Sequence, residues 1–229
     1  MPGAFVTIEG PEGAGKTSHA ERLRDRAVGA GIDVVLTREP GGTPLGERIR
    51  EVLLDPGARH DPRTDALLFN AARAQLLKDV IEPALARRAL VICARFADST
   101  VAYQGHGAGL PADDLRTIER FATGGRRPDL TLLLDLPIED GLSRKHDEQT
   151  RFETRFDLDF HRRVRAGFLA MAAAEPDRFR VIDATRPADA VFADVVGAVA
   201  GLPGLGGLGG TEGAPGRTEP LPAAERIHR

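Results

Sequence analysis

Short apolar runs alternate with helically spaced apolar residues along most of the chain. Phe5-Val6-Thr7-Ile8 is a strand-like run, followed by a glycine-rich stretch. Ala20, Leu23 and Ala27 then recur at helical spacing until Gly29 and Gly31 stop the helix. Residues 32–37 read as a second strand, broken by Pro40-Gly41-Gly42. Residues 45–54 and 62–88 read as helices, with a kink or break expected at Pro83. Residues 90–93 form a third strand candidate and 111–123 another helix. Residues 130–134 are nearly continuously apolar, which suits a central parallel strand covered on both faces. Phe156, Phe160, Val164 and Phe168 form the stripe of an amphipathic helix. Residues 179–182 read as a fifth strand, and Val191, Val195 and Val199 mark a last helix. This alternation predicts an α/β fold, a doubly wound parallel sheet of about five strands with helices on both faces. The domain is expected to span residues 1–200, and the Gly/Pro-rich residues 201–229 to form a disordered tail without periodicity.

Composition narrows the class without naming an activity. The chain has 229 residues, 41% hydrophobic and 28% charged, enough for one globular α/β domain with a full core. A net charge of -3 implies no general attraction to nucleic acid or to an anionic membrane. The single cysteine, Cys93, excludes an internal disulfide framework and fits a reducing cytoplasm; its apolar run places it in the core. No charged segment followed by a long apolar stretch opens the chain, so no signal peptide is expected. No apolar run approaches the ~20 residues that cross a bilayer.

The glycine-rich stretch carries the first chemistry. Gly10-Pro11-Glu12-Gly13-Ala14-Gly15-Lys16-Thr17 has the spacing of a phosphate-binding loop between a strand and a helix. Its glycines let successive backbone N–H groups turn toward phosphate oxygens, and the helix that follows adds its positive end. Lys16 is expected at the β- and γ-phosphates and the Thr17 hydroxyl on Mg²⁺. The motif indicates a nucleoside triphosphate but not the reaction.

Further motifs follow in order: Thr37-Arg38-Glu39-Pro40-Gly41-Gly42-Thr43, then Phe69-Asn70-Ala71-Ala72-Arg73-Ala74-Gln75, then Arg95 to Gly105. Arg127-Pro128-Asp129-Leu130-Thr131-Leu132 and Asp183-Ala184-Thr185-Arg186-Pro187 complete the series. With these strings the chain resembles the thymidylate kinase family, in its bacterial branch, from about residue 4 to about residue 200. The resemblance implies a P-loop NTPase-type fold with a short lid, and phosphorylation of dTMP to dTDP with ATP and Mg²⁺. It implies a stacking ring for thymine at Phe69 and a base-binding arginine at Arg73, one helical turn along. Thr100, Tyr103 and Gln104 would wall the deoxynucleotide pocket, with Glu12 near the deoxyribose and Arg38 near the acceptor phosphate. Arg95 would bridge the acceptor phosphate and the transferring group, a task suited to a planar guanidinium. Thr185 and Arg186 would border adenine. Arg144 and Arg151 match lid arginines, Arg151 in a catalytic role. The family also implies a cytoplasmic homodimer packed through helices.

Two departures stand out. Where the resembled pattern has Asp before the arginine of the third-strand loop, this chain has Ala94, which leaves Mg²⁺ to Thr17, phosphate oxygens and water. Glu9 is a candidate substitute carboxylate. The segment from Gly141 to Glu153 looks like a shortened lid, interrupted by Asp147 and Glu148, with Lys145 a poor copy of an arginine. These departures leave two alternatives: a paralogue acting on a different deoxynucleoside monophosphate, and a nucleotide-binding protein with reduced or lost turnover. The six histidines show no metal-ligand spacing; His146 and His161 are expected at the surface.

Overall fold

The structure is a computed structural model and describes residues 3–144 and 157–210. Five parallel strands run β1 Ala4–Glu9, β2 Val34–Arg38, β3 Leu90–Ala94, β4 Leu130–Asp135 and β5 Phe179–Asp183, in the spatial order β2-β3-β1-β4-β5. This is the doubly wound sheet that the alternation predicts. The central strand β1 pairs with β3 on one side and β4 on the other, so Val6 lies opposite both Ile92 and Leu130. The chain crosses over β1 when it passes from β3 to β4, which opens a crevice at the carboxyl ends of the strands.

Strand residues of alternating parity face opposite layers. Val6, Ile8, Leu90, Ile92, Leu132 and Leu134 pack against α1 (Lys16–Gly29) and the last helix, α9 (Ala188–Ala200), through Leu23, Ala27, Val191 and Val195. On the other face Phe5, Val91 and Cys93 meet Leu76 and Ile81, while Leu133 and Phe179 meet Tyr103, Phe160, Val164 and Phe168. Both faces are therefore dry, which is why the strands read as continuous apolar runs. Truncating a fully buried leucine such as Leu23 to alanine would cost about 2–5 kcal/mol.

Between β2 and β3 lie α2 (Pro44–Leu54) and α3 (Pro62–Leu76). Each begins with proline at its first position behind a capping side chain: Thr43 Oγ1 accepts from Gly46 N at 3.0 Å, and Asp61 Oδ1 accepts from Arg63 N at 2.9 Å. The expected break at Pro83 is an expanded turn. A π-helical turn, Leu77–Ile81, leads into α4 (Glu82–Ala86), and the Glu82 N–H reaches the Leu77 carbonyl five residues back. Proline has no N–H to give to the carbonyl four residues before it, and the wider turn accommodates that loss.

The segment after β3, expected as a loop, is helical. It forms α5 (Ala97–Thr100) and a π-helical turn, Val101–Gly107. Then come α6 (Ala112–Thr123), the unanticipated short α7 (Ile138–Ser143) and α8 (Leu158–Ala174), which carries the phenylalanine stripe from Phe160 onward. Phe156 and the lid residues Lys145, His146, Asp147, Glu148 and Arg151 lie outside the described residues. His161, expected at the surface, is instead buried at 3% exposure, its ring packed edge-on against that of Phe160.

The boundary expected at residue 200 is corrected. Leu205 and Leu208 are buried in the core, the latter within a 3₁₀ turn at Gly206–Gly209. The Arg26 Nε and Nη2 donate to the Leu208 carbonyl at 3.1 and 3.0 Å. Leu202, Leu205 and Leu208 recur every three residues, a 3₁₀ period that the glycines around them conceal. The remaining expected tail, 211–229, lies outside the described residues.

Candidate active site

The phosphate loop joins β1 to α1 at the carboxyl edge of the sheet. Gly10, Gly13 and Gly15 all have positive φ (141°, 72° and 82°), where a side chain is strained. Space forbids one as well: a Cβ on Gly10 would collide with the Leu134 carbonyl oxygen, and one on Gly13 with that of Gly141. Pro11 and Ala14 are buried supports of the loop. Lys16 donates its Nζ to the carbonyls of Gly10 and Pro11 at 3.0 and 2.6 Å, so its charge rests over the cradle. The exposed Thr17 opens into the cleft beside it.

The cleft has a volume of about 410 Å³. Glu12, Gly13, Gly15, Lys16 and Thr17 line one end, with Arg144; Phe69, Arg73, Arg95, Thr100, Tyr103 and Gln104 line the rest. Twelve of the site residues expected from sequence thus share one cavity. Arg50, Leu54, Phe96 and Ser99 line it too and were not anticipated. Arg50 and Leu54 sit one turn apart on α2, a same-face spacing that the sequence does carry. Arg38 does not line the cleft; its Nη2 is held by the Glu47 carboxylate at 3.0 Å. Thr185 and Arg186 lie outside it as well, in the turn after β5, where Thr185 donates its hydroxyl to Asp183 at 2.6 Å. Arg144 reaches toward that turn, donating Nη1 to the Ala184 carbonyl at 3.2 Å.

Arg95 has φ 68°, a left-handed conformation that a non-glycine residue holds only when its surroundings impose it. Its N–H donates to the Ile8 carbonyl at 3.0 Å, and its carbonyl accepts from the Cys93 thiol at 3.0 Å. The guanidinium pairs with Glu12 and lies 5.1 Å from the Tyr103 ring centroid. Tyr103 OH donates to the same Glu12 oxygen at 3.0 Å. Burial pushes the Tyr103 phenol well up, so it remains a neutral donor.

Glu9 does not line the cleft. Its fully buried carboxylate accepts from Phe96 N at 2.7 Å and from Ser99 Oγ at 2.6 Å. Burial, helped by the Asp98 charge, raises its pKa to about 7. Ala94 ends β3 at 7% exposure and brings no oxygen ligand to the site.

Arg73 is 1% exposed. Its Nε and Nη2 donate to Glu39 Oε2 at 2.9 and 2.7 Å, Nη1 to Asn70 at 3.1 Å and Nη2 to Thr100 at 3.0 Å. Burial outweighs the pull of Arg73 and raises Glu39 to about 7. A guanidinium has five N–H groups, so one on Nη1 remains for a ligand in the cleft. Half-buried Phe69 presents its ring beside Arg73, backed by the cluster of Tyr103 and Phe160.

The arrangement can bind a triphosphate at the loop, hold a second phosphate at Arg95 and enclose a flat ring between Phe69 and Arg73. For Mg²⁺, Thr17 supplies an open hydroxyl; among the described residues no cluster of three or more His, Cys, Asp or Glu could hold a metal. That fits an ion carried mainly by phosphate oxygens and water, and not one caged by protein.

The comparisons with known proteins agree with this geometry. The thymidylate kinase family profile matches residues 8–195. Similar curated proteins include the thymidylate kinase of Deinococcus radiodurans, 53% identical over 200 residues that cover 86% of this chain and 97% of that protein. The thymidylate kinase of Pseudomonas fluorescens is 56% identical over 191 residues, 82% of this chain and 90% of that one. That of Thermomicrobium roseum is 54% identical over 198 residues, 83% and 93% respectively. With the match spanning loop, cleft and sheet alike, the chain belongs to the thymidylate kinase family.

Proposed function

We propose that this chain transfers the γ-phosphoryl group of ATP to dTMP, giving ADP and dTDP for dTTP synthesis. The observation that carries the reading is one cleft that joins the Lys16 loop, Arg95 and the Phe69–Arg73 ring site. Phosphoryl transfer needs positioning and charge stabilisation, and these residues offer both. The loop amides and Lys16 hold the donor phosphates. Arg95 lies between them and the acceptor phosphate and draws the two together. Phe69 stacks on thymine, Arg73 gives its remaining N–H to the base, and Thr100, Tyr103 and Gln104 close the wall. Glu12 holds Arg95 and Tyr103 in register. Thr17 would hold Mg²⁺, which neutralises phosphate charge when bound. Arg144, Thr185 and Arg186 would border adenine, and Arg38 and Arg151 would serve the phosphates.

The protein acts on small molecules in the cytoplasm, as a homodimer. Phe121, 92% exposed on α6, and Leu67, 58% exposed on α3, support the second copy, since these helices pack side by side. Among the described residues no helix is long and apolar enough to cross a membrane.

A coupled assay of ADP release with a panel of monophosphates tests the reading. Fast turnover on dTMP, lost about 10³-fold or more in Arg95→Ala, is expected. Turnover confined to another monophosphate would overturn the substrate, and binding without turnover would overturn the activity. Sedimentation of the parent and Phe121→Asp tests the dimer.

A further inference from the structure

Two parts of the Arg95 turn, the Phe96 N–H and the Ser99 hydroxyl, converge on a carboxylate that does not line the cleft. We propose that Glu9 is a positioning residue of Arg95, acting through the Phe96 amide and the Ser99 hydroxyl. The inference rests on the role given to Arg95 above.

Glu9 is the last residue of β1 and is 0% exposed, so it meets neither substrate. Its two oxygens receive different parts of the turn that follows β3. Oε1 accepts the Phe96 N–H at 2.7 Å, which fixes the peptide immediately after Arg95. Oε2 accepts the Ser99 hydroxyl proton at 2.6 Å. Ser99 Oγ in turn lies 3.4 Å from Arg95 Nη1, as its acceptor. One carboxylate thus restrains the Arg95 backbone directly and its guanidinium through Ser99.

The restraint is needed because Arg95 has left-handed backbone geometry. Without it the residue would relax toward an ordinary conformation and swing its guanidinium out of line. The Ile8 carbonyl and the Cys93 thiol hold the Arg95 N–H and carbonyl, but neither orients the side chain. Glu12 pairs with the guanidinium directly, whereas Glu9 reaches both the Arg95 backbone, through the Phe96 N–H, and the guanidinium, through Ser99.

A double-mutant cycle on the full chain tests this. Glu9→Ala should lower kcat about 10- to 100-fold, the worth of hydrogen bonds to a charged group, and change KM for ATP and dTMP by no more than about threefold. Glu9→Gln should recover most of the loss, because its amide oxygen still accepts from Phe96 and its amide nitrogen can donate to Ser99. Ser99→Ala should lower kcat about tenfold. On an Arg95→Ala background neither Glu9→Ala nor Ser99→Ala should lower kcat further. Equal losses on both backgrounds, or parental kcat in Glu9→Ala, would overturn the proposal. Should Glu9→Ala fail to fold, Glu9→Gln and Ser99→Ala complete the cycle, and an unchanged kcat in Ser99→Ala would overturn it. Parental kcat in Arg95→Ala alone would instead overturn the role of Arg95 and take the proposal with it.

Discussion

Arg73 and Glu39 form an ion pair in the cleft wall with both side chains almost wholly out of water, at 1% and 3% exposure and 2.7 Å apart. Such a pair adds little net stability, yet breaking it strands a charge. Glu39 sits in the turn after β2 and Arg73 on α3, so the pair also ties two walls of the base site together. Glu39→Ala is expected to cost about 3–5 kcal/mol in urea unfolding and to raise KM for dTMP. Parental stability in that variant would contradict the buried pair.

Phe69→Ala should weaken dTMP by about 1–3 kcal/mol, the worth of one aromatic stack on a base. The loss should appear in KM for dTMP, with KM for ATP unchanged. Steady-state kinetics with each substrate varied in turn would detect it, and equal effects on both substrates would place Phe69 in the scaffold alone.

Ala94→Asp would put a carboxylate at the end of β3, close to the phosphate loop. A lower Mg²⁺ concentration for half-maximal rate and a gain in kcat are expected, since an oxygen ligand then supplements Thr17. Titration of the rate against Mg²⁺ measures both; no change in either would mean that the alanine is neutral toward metal.

Stability should carry the signature of Glu9. Folding raises its pKa from 4.5 to about 7. The folded chain therefore binds more protons than the unfolded one between those values, so this contribution is full below about 4.5 and lost as pH climbs through about 7. Arg95 and Asp98 are the charges that act on the carboxyl. Asp98 is itself paired with Arg178 at 2.7 Å. Glu9→Gln does not titrate, so its stability relative to the parent should improve by about 2–3 kcal/mol from pH 5 to pH 8. Urea unfolding at the two pH values tests this, and a pH-independent difference would contradict it.

Much of the site was legible because its constraints are local. A glycine with positive φ and a carbonyl against its face must stay glycine, so the loop from Gly10 to Thr17 announces itself in a few consecutive letters. The sheet was legible for a similar reason, as both faces of each inner strand are dry. What escaped reading depends on distant partners. Glu9 meets Phe96 across 87 positions, and Arg73 meets Glu39 across 34. The helical turns after β3 were hidden by Gly105 and Gly107, poor helix formers. Gly107 is there for packing: a Cβ on it would lie 2.6 Å from Phe160 on α8, a neighbour that no local pattern names. The leucines after Ala200 are concealed by the glycines that dominate the stretch in which they repeat.

The thiol beneath Arg95 has a practical consequence. Cys93 is the only cysteine, is fully buried in the strand next to the centre of the sheet, and is pushed well above the ordinary thiol pKa by burial. Thiolate is the reactive form, so alkylating reagents cannot modify it while the sheet is closed. The rate of its modification therefore counts openings of β3, and binding of either substrate over the Arg95 turn should slow that clock. The protein carries its own reporter of breathing at the place where the reaction is organised.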